Sequence, residues 1–527
     1  MELIAKERNM STSWIERAKR FKSPLSVAAG FLLRSRETQA KRARERAEQV
    51  RELNQRIDQQ QKALQEQREQ LGAQEAEIAR LKIENERLRK QPVLLPDDPP
   101  LPHHEFGPRM ISLCVNLARR IGLRAVADVL TMVFDWFGVS AKLPTWTGIR
   151  TWVLRAGVAA IRRPIEPADD WIWMADHSNQ IGQEKVLSII GLRASRMPPA
   201  GETIKHEHVR VLELVPGTSW KREDVAKVFD QLSEQSGAPL AVLVDGAAEL
   251  REGAEILQKH GKNTLLLGDF KHHSANVLKH MLESDGRFAE FHTHVGRTRS
   301  AIQQTELAHF TPPTLRPKAR FMNLAPMLRW AEMVSWQLSH PQAEARRNIT
   351  AARMNEKLGW LEAFRDDIAR WNACQAVVST SITWINEQGL SVGAARRLRD
   401  HLRTVRGGGD QEVCDPAARQ VTAQLLRFVR KQESKLAAGQ RLPLSTEILE
   451  SSFGLFKQLE RQHSKGGLTS LLAGYGCLLQ ASTPDSIRSD FAQVSVKAMR
   501  AWVSDKLGTT LTSKRQTAFR EFRLAPT

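Results

Sequence analysis

The stretch Pro239-Leu-Ala-Val-Leu-Val-Asp245 limits what this chain can fold into more than any other. A strand this apolar has no face to give to water, so both faces must be covered, as in the middle of an α/β sheet. Its surroundings fit. Arg222 to Leu232 places Val225, Val228, Phe229 and Leu232 on one helical face, Ala248 to His260 reads as a second helix, and Thr264-Leu-Leu-Leu-Gly268 as another strand. Upstream, Trp171 to Asp176, Val186 to Leu192 and Val209 to Val215 read as three more strands, with Asn179-Gln-Ile-Gly182 at the first turn. The order β-β-β-α-β-α-β predicts a mixed five-stranded sheet, an antiparallel meander followed by parallel strands joined through helical crossovers. In such a sheet the first and fourth strands lie side by side.

That neighbourhood gives two acids a meaning. Asp176 ends the first strand and Asp245 ends the fourth, so their carboxylates would converge at one edge. Buried carboxylates repel one another, and a hard divalent ion resolves the repulsion. The alternative is that each caps the turn after its own strand. A third acid should come from a helix. Pro443 to about Arg461 supplies one, with Ile448, Leu449, Ser452, Phe456 and Leu459 on its buried side and Glu450, Gly454, Lys457 and Arg461 away from it. Glu450 is the candidate ligand, Glu447 one turn earlier competes with it, and Lys457 and Arg461 are placed to reach a phosphate. A plain helix carrying an i,i+7 charge pair is the other reading.

The flanks point to a polyanion and to assembly. The formal charge is +19 over 527 residues, which favours nucleic acid as partner over a role in small-molecule metabolism. Residues 38–91 repeat Val50, Ile57, Leu64, Leu71, Ile78 and Asn85 every seven residues, with Leu53, Gln60, Gln67, Gln74, Leu81 and Leu88 three positions on. This is a heptad with a polar middle, read as a parallel dimeric coiled coil, with a solvated charged helix as its rival. Pro92, Pro96, Pro99, Pro100 and Pro102 end it. Residues 108–160 regain helical spacing, and after Gly138 to Pro144 a last helix carries Ile149, Trp152, Val153 and Leu154, with Arg150 and Arg155 expected outside. Helix, short turn and basic helix is the grammar of a helix-turn-helix, although a bundle packed on the next domain fits as well. No apolar run spans a membrane, the N-terminus does not read as a signal peptide, and the scattered Cys114, Cys374, Cys414 and Cys477 favour a reduced cytoplasmic setting. There is no GxxxxGK[ST], HExxH or GxSxG, and the pairs His103-His104, His206/His208 and His292/His294 lack a third ligand.

The strand order, Asp176, Asp245 and the Glu450-x6-Lys457 helix resemble the RNase H-like DDE transposases of bacterial insertion sequences. Leu143 to Gly157 is similar to the helix-turn-helix that precedes their catalytic domain, and Asp269-Phe-Lys-His272 to a (C/D)-x-x-H element of related families. The gap of 205 positions from Asp245 to Glu450 resembles that of the subset with an α-helical insertion. The resemblance covers roughly residues 108–480 and implies an RNase H-like α/β core in two parts, 166–271 and 441–482, split by an insertion at 272–440. Before it come a basic segment (1–37), the coiled coil (38–91), a Pro-rich linker (92–107) and the DNA-binding domain (108–165); a helical tail (483–527) follows. It further implies Asp176, Asp245 and Glu450 as catalytic ligands of two Mg2+ ions, with Mn2+ able to substitute. Arg150, Arg155, Lys457 and Arg461 would contact DNA, and Asp269 and His272 would mark the insertion boundary. A homodimer acting on double-stranded element ends and target, associated with the nucleoid, is the expected assembly. A non-catalytic descendant that binds DNA, and a structure-selective nuclease on the same fold, are the rivals.

Overall fold

The computed structural model describes residues 24–90, 97–179, 184–260, 263–314, 324–340, 349–405, 415–461, 468–508 and 511–524. Most of the expected basic segment 1–37, Pro92 and Pro96, positions 180–182 of the first turn, the Gly407-Gly-Gly409 loop, Cys414 and the Arg461 side chain lie outside the described residues.

The chain divides into two compact units, Met1–Leu95 and Pro96–Thr527. In the first, α1 (Leu25–Lys90) is one helix of 66 residues, roughly 100 Å long at 1.5 Å per residue. Val50, Ile57, Leu64, Leu71 and Ile78 along it are each 48–56% exposed. The heptad row is thus exposed among the described residues.

In the second unit, α2 (Pro108–Ile121), α3 (Leu123–Trp136) and α4 (Trp146–Arg162) lead into the sheet. Its strands are β1 (Trp171–Asn179), β2 (Lys185–Arg193), β3 (Arg210–Gly217), β4 (Ala241–Val244) and β5 (Leu265–Gly268), with α5 (Arg222–Ser236) and α6 (Ala248–Lys259) as crossovers. The order is β3-β2-β1-β4-β5. β1 pairs antiparallel with β2 and parallel with β4, so the expected mixed sheet with its first and fourth strands adjacent is present. Both faces are apolar, as the β4 sequence requires. Trp171, Trp173 and Ala175 pack with Phe229, Leu232, Leu250 and Leu257 of α5 and α6. Ile172 and Met174 on the opposite face join the core that contains α4 and residues 468–479.

Thr145 caps α4, its side chain accepting from Gly148 N at 3.3 Å. The helix then runs with every residue from Trp152 to Ala159 buried. This corrects the expectation that Arg150 and Arg155 face outward. Arg155 is only 7% exposed. Its guanidinium donates to the Val494 and Phe491 carbonyls, meets His104 Nε2 at 2.7 Å and lies over the Phe491 ring. Arg150 is half-buried and donates to Ser470 Oγ. Basic residues at helical spacing looked solvated because the segments that wrap them, Ser470–Cys477, α15 (Pro484–Gln493) and α16 (Val496–Leu507), come more than 300 positions later. Of the two readings of 108–160, the bundle packed on the sheet fits these contacts. We therefore do not retain Arg155 as a DNA contact.

Between β5 and the last helices of the unit run α7 (Phe270–Glu283), α8 (Gly286–Ile302), α9 (Leu324–Ser339), α10 (Ala351–Leu358), α11 (Arg365–Gln388), α12 (Ala394–Val405) and α13 (Pro416–Glu433). Phe288, Phe291, Trp330, Phe364 and Trp371 help give this region a separate core. It returns to the sheet through a short antiparallel pair, β6 (Leu390–Ser391) with β7 (Arg441–Leu442), and α14 (Glu447–Arg461) follows. The C-terminal end carries α17 (Leu511–Leu524). Among the described residues no helix is long and apolar enough to cross a membrane.

The packing of α4 gives a direct test. A Cβ at Gly157 would lie 2.1 Å from the Ala473 carbonyl oxygen, which is backbone and cannot rotate away. Gly157→Ala is expected to lower stability by about 1–3 kcal/mol, read from the midpoint of a denaturant titration; an unchanged midpoint would show that this contact is not tight.

Candidate metal and catalytic site

The β1–β4 ladder ends at the pair Ala175 and Val244. Asp176 and Asp245 come next, so parallel pairing alone sets the two acids side by side, Asp245 just after β4 and Asp176 within β1, which runs on to Asn179 rather than ending at Asp176 as expected. Asp176 has even parity with Ile172 and Met174 and shares their face; it is 9% exposed, and its Oδ1 accepts from His177 N at 2.6 Å. Burial, reinforced by the charge of Asp245, pushes its carboxyl up to about 7 despite the opposing pull of His272. Asp245 is raised too, first by burial, with a hydrogen bond from Ala247 N working against it.

The third group comes from α7 and α14, whose N-termini meet at Asp269. This carboxylate is 3% exposed. Its Oδ1 accepts from Lys271 N at 2.6 Å and His272 N at 3.2 Å, capping α7. Its Oδ2 accepts from Thr446 N at 3.0 Å, from the Thr446 hydroxyl, and from His272 Nδ1 at 3.2 Å, tying down the start of α14. Burial alone would raise the Asp269 pKa, but the donors from His272 and Thr446 overcome it and hold it below its ordinary value. His272 is pushed the other way. Burial opposes its charge, yet the bond to Asp269 and the fields of Asp269, Glu450 and Asp176 carry it up to about 9.

Glu450, in the first turn of α14, is the acid that reaches this cluster: it raises the Asp176 pKa, and its Oε1 lies 3.9 Å from His272 Nδ1. Glu447 turns instead to Asn386 Nδ2 and Lys271 Nζ. Lys271 also binds Glu450 Oε2 at 2.9 Å, and both glutamates raise its pKa against the effect of burial. Glu450 Oε1 is buried without a hydrogen-bond partner. Lys457 is exposed on α14, and the Arg461 side chain is outside the described residues. Of the expected site residues, Asp176, Asp245, Glu450, Asp269 and His272 come together; Arg150 and Arg155 do not join them.

Sequence reasoning missed two members. Lys271 and Thr446 stand beside the motifs that were read, but a lysine and a threonine near helix starts read as surface and cap. The neighbouring His273 stays out of the cluster, its ring stacked on Phe428 with centroids 4.1 Å apart.

The cluster suits a cation. Ligand atoms of Asp269, His272 and Glu450 lie within 4.8 Å of one another. Because both Asp269 oxygens are already occupied by donors, the acids with capacity left are Asp176, Asp245 and Glu450. A carboxyl raised to about 7 and a buried carboxylate oxygen without a donor both mark negative charge in excess of the local cations.

No protein-family model matches the sequence, and no curated protein matches it. Among solved structures the chain is similar to the Drosophila P element transposase strand transfer complex, at 12% identity and a TM-score of 0.32, over 82% of this chain and 98% of that one. A likeness this distant leaves function to be read from the site.

The raised Asp176 carboxyl fixes a sign. Without metal, folded Asp176 holds its proton up to about pH 7, whereas an unfolded aspartate releases it near 3.8. Between those values the folded state binds more protons, so this group's contribution to stability falls as pH rises. With chelator present, the melting-temperature advantage of Asp176→Asn over wild type is expected to grow across that window. An advantage independent of pH would contradict the assignment.

Proposed function

We propose that this chain is a DDE-type transposase, a metal-dependent polynucleotidyl transferase that cuts DNA at the ends of an insertion sequence and joins the freed 3′-OH to target DNA. One observation carries the reading: three acids from three distant segments, Asp176, Asp245 and Glu450, converge beside a mixed sheet of order β3-β2-β1-β4-β5, as an RNase H-like core requires. Asp176, at the centre, would hold both of two Mg2+ ions, or Mn2+ in their place, with Asp245 and Glu450 each holding one. Bound there, the ions would activate the attacking oxygen and stabilise the leaving oxygen of an in-line displacement.

The rest is done by the chain. Asp269 fixes His272 and the first turn of α14, so that Glu450 points inward. The α4 bundle and the α5–α6 layer exclude water from both faces of the sheet. Exposed Lys457, two turns from Glu450 on α14, is placed to meet a phosphate, and Arg461 lies one turn further. Residues 166–271 and 441–482 then form the catalytic core, 272–440 its insertion and 38–91 the element for dimerisation, while 108–165 back the sheet. The binding-only rival has no need for a buried acid raised to about 7 beside the end of β4. The nuclease rival shares the site and differs only in joining.

Asp176→Asn and Asp245→Ala are each expected to lower Mg2+-dependent cleavage of an end-bearing duplex at least about a thousandfold, with Kd for DNA changing less than about threefold. Cleavage persisting in both variants would remove the catalytic assignment, and cleavage without joining by the wild type would favour the nuclease. For the dimer, Ile57→Asp with Leu64→Asp puts charges on the heptad seam. It should convert a sedimenting dimer to monomer; a dimer unaffected by both changes would place the interface elsewhere.

A further inference from the structure

Lys271 has no part in the reading above, yet it is built into the acid cluster. Its backbone N–H is held by Asp269 Oδ1 at 2.6 Å, which fixes the first turn of α7. Its side chain is 19% exposed, and its ammonium spans Glu450 Oε2 at 2.9 Å and Glu447 Oε1 at 3.2 Å. Asn386 holds the other Glu447 oxygen. Glu450 is therefore gripped by one oxygen while the other, Oε1, is buried with no donor. A carboxylate held in this way is fixed in one rotamer with a bare ligand atom.

We propose that Lys271 is the built-in counter-ion of the metal site: it holds Glu450 in its ligand position while no cation is bound, and it competes with the divalent ion for the same carboxylates. This rests on the metal reading given above. An ordinary structural ion pair would stabilise the metal-free and the metal-bound protein alike. A counter-ion does not, because a divalent ion arriving on Glu450 meets the ammonium as a like charge at close range. Lys271 thus raises the cation concentration needed to fill the site, and it keeps Glu447 and Glu450 from repelling one another until then.

The test uses the full chain, freed of metal by chelation, then titrated with Mn2+ while free Mn2+ is followed by electron paramagnetic resonance. Lys271→Met is expected to bind Mn2+ about tenfold more tightly than wild type or better. Its melting temperature should lie below wild type without metal and reach or pass wild type when saturated with Mn2+. Lys271→Arg keeps the charge and is expected to bind Mn2+ as wild type does. Unchanged or weaker binding by Lys271→Met, an equal loss of melting temperature in both states, or tighter binding by Lys271→Arg would each overturn the proposal. Should the methionine variant not fold, Lys271→Gln gives the same comparison. Wild type that binds no Mn2+ would overturn the metal reading together with this one, whereas wild-type binding with an indifferent Lys271→Met overturns this one alone.

Discussion

The arrangement of the site depends on one buried carboxylate. Asp269 sits just after β5 and serves two helices at once, capping α7 with Oδ1 and anchoring Thr446 at the start of α14 with Oδ2, across 177 positions of sequence. An isolated carboxylate this buried would be protonated or excluded. Here backbone and side-chain donors keep it ionised, and the positive ends of two helices face it. His272, Lys271 and Glu450 all take their orientation from that junction. Asp269 carries no proposed chemistry, yet it fixes the helix start from which Glu450 projects.

A second constraint is how a long helical segment leaves the sheet and returns to it. Residues 282–371 contribute to a separate core rich in aromatic rings, whereas α12 and α13 pack into the core shared with the sheet. Three contacts fix the return. β6 pairs with β7, Phe428 of α13 packs on Phe270 and His273 of α7, and Lys435 Nζ donates to the Leu266 carbonyl. The last two bring the chain back beside β5, where Asp269 receives Thr446. Local packing within the helical segment and a few polar ties at its base together deliver Glu450 to a strand end that it could not find by proximity in sequence.

The layout was legible wherever a residue's environment is set by its near neighbours. The apolar β4 demanded two covered faces, and parallel pairing with β1 then put Asp176 beside Asp245. Glu450 against Glu447 was not legible, because both lie on one turn of α14 and the choice is made by Lys271 and Asn386 from other helices. Arg155 misled for a related reason: its helix looks amphipathic alone, and only the C-terminal segments reveal it as buried, bonded to the Val494 and Phe491 carbonyls. The sequence shows the heptad row on α1, and the structure leaves that row exposed.

The central claim is that Asp176, Asp245 and Glu450 bind divalent cations to act on DNA. Anomalous scattering from crystals of the chain with Mn2+ and an end-bearing duplex tests it most directly. The account expects Mn2+ peaks coordinated by Asp176 together with Asp245 or Glu450, with a DNA phosphate or 3′ oxygen in the remaining positions. Mn2+ absent from these carboxylates in a DNA-bound crystal, or DNA bound on a surface remote from them, would contradict it.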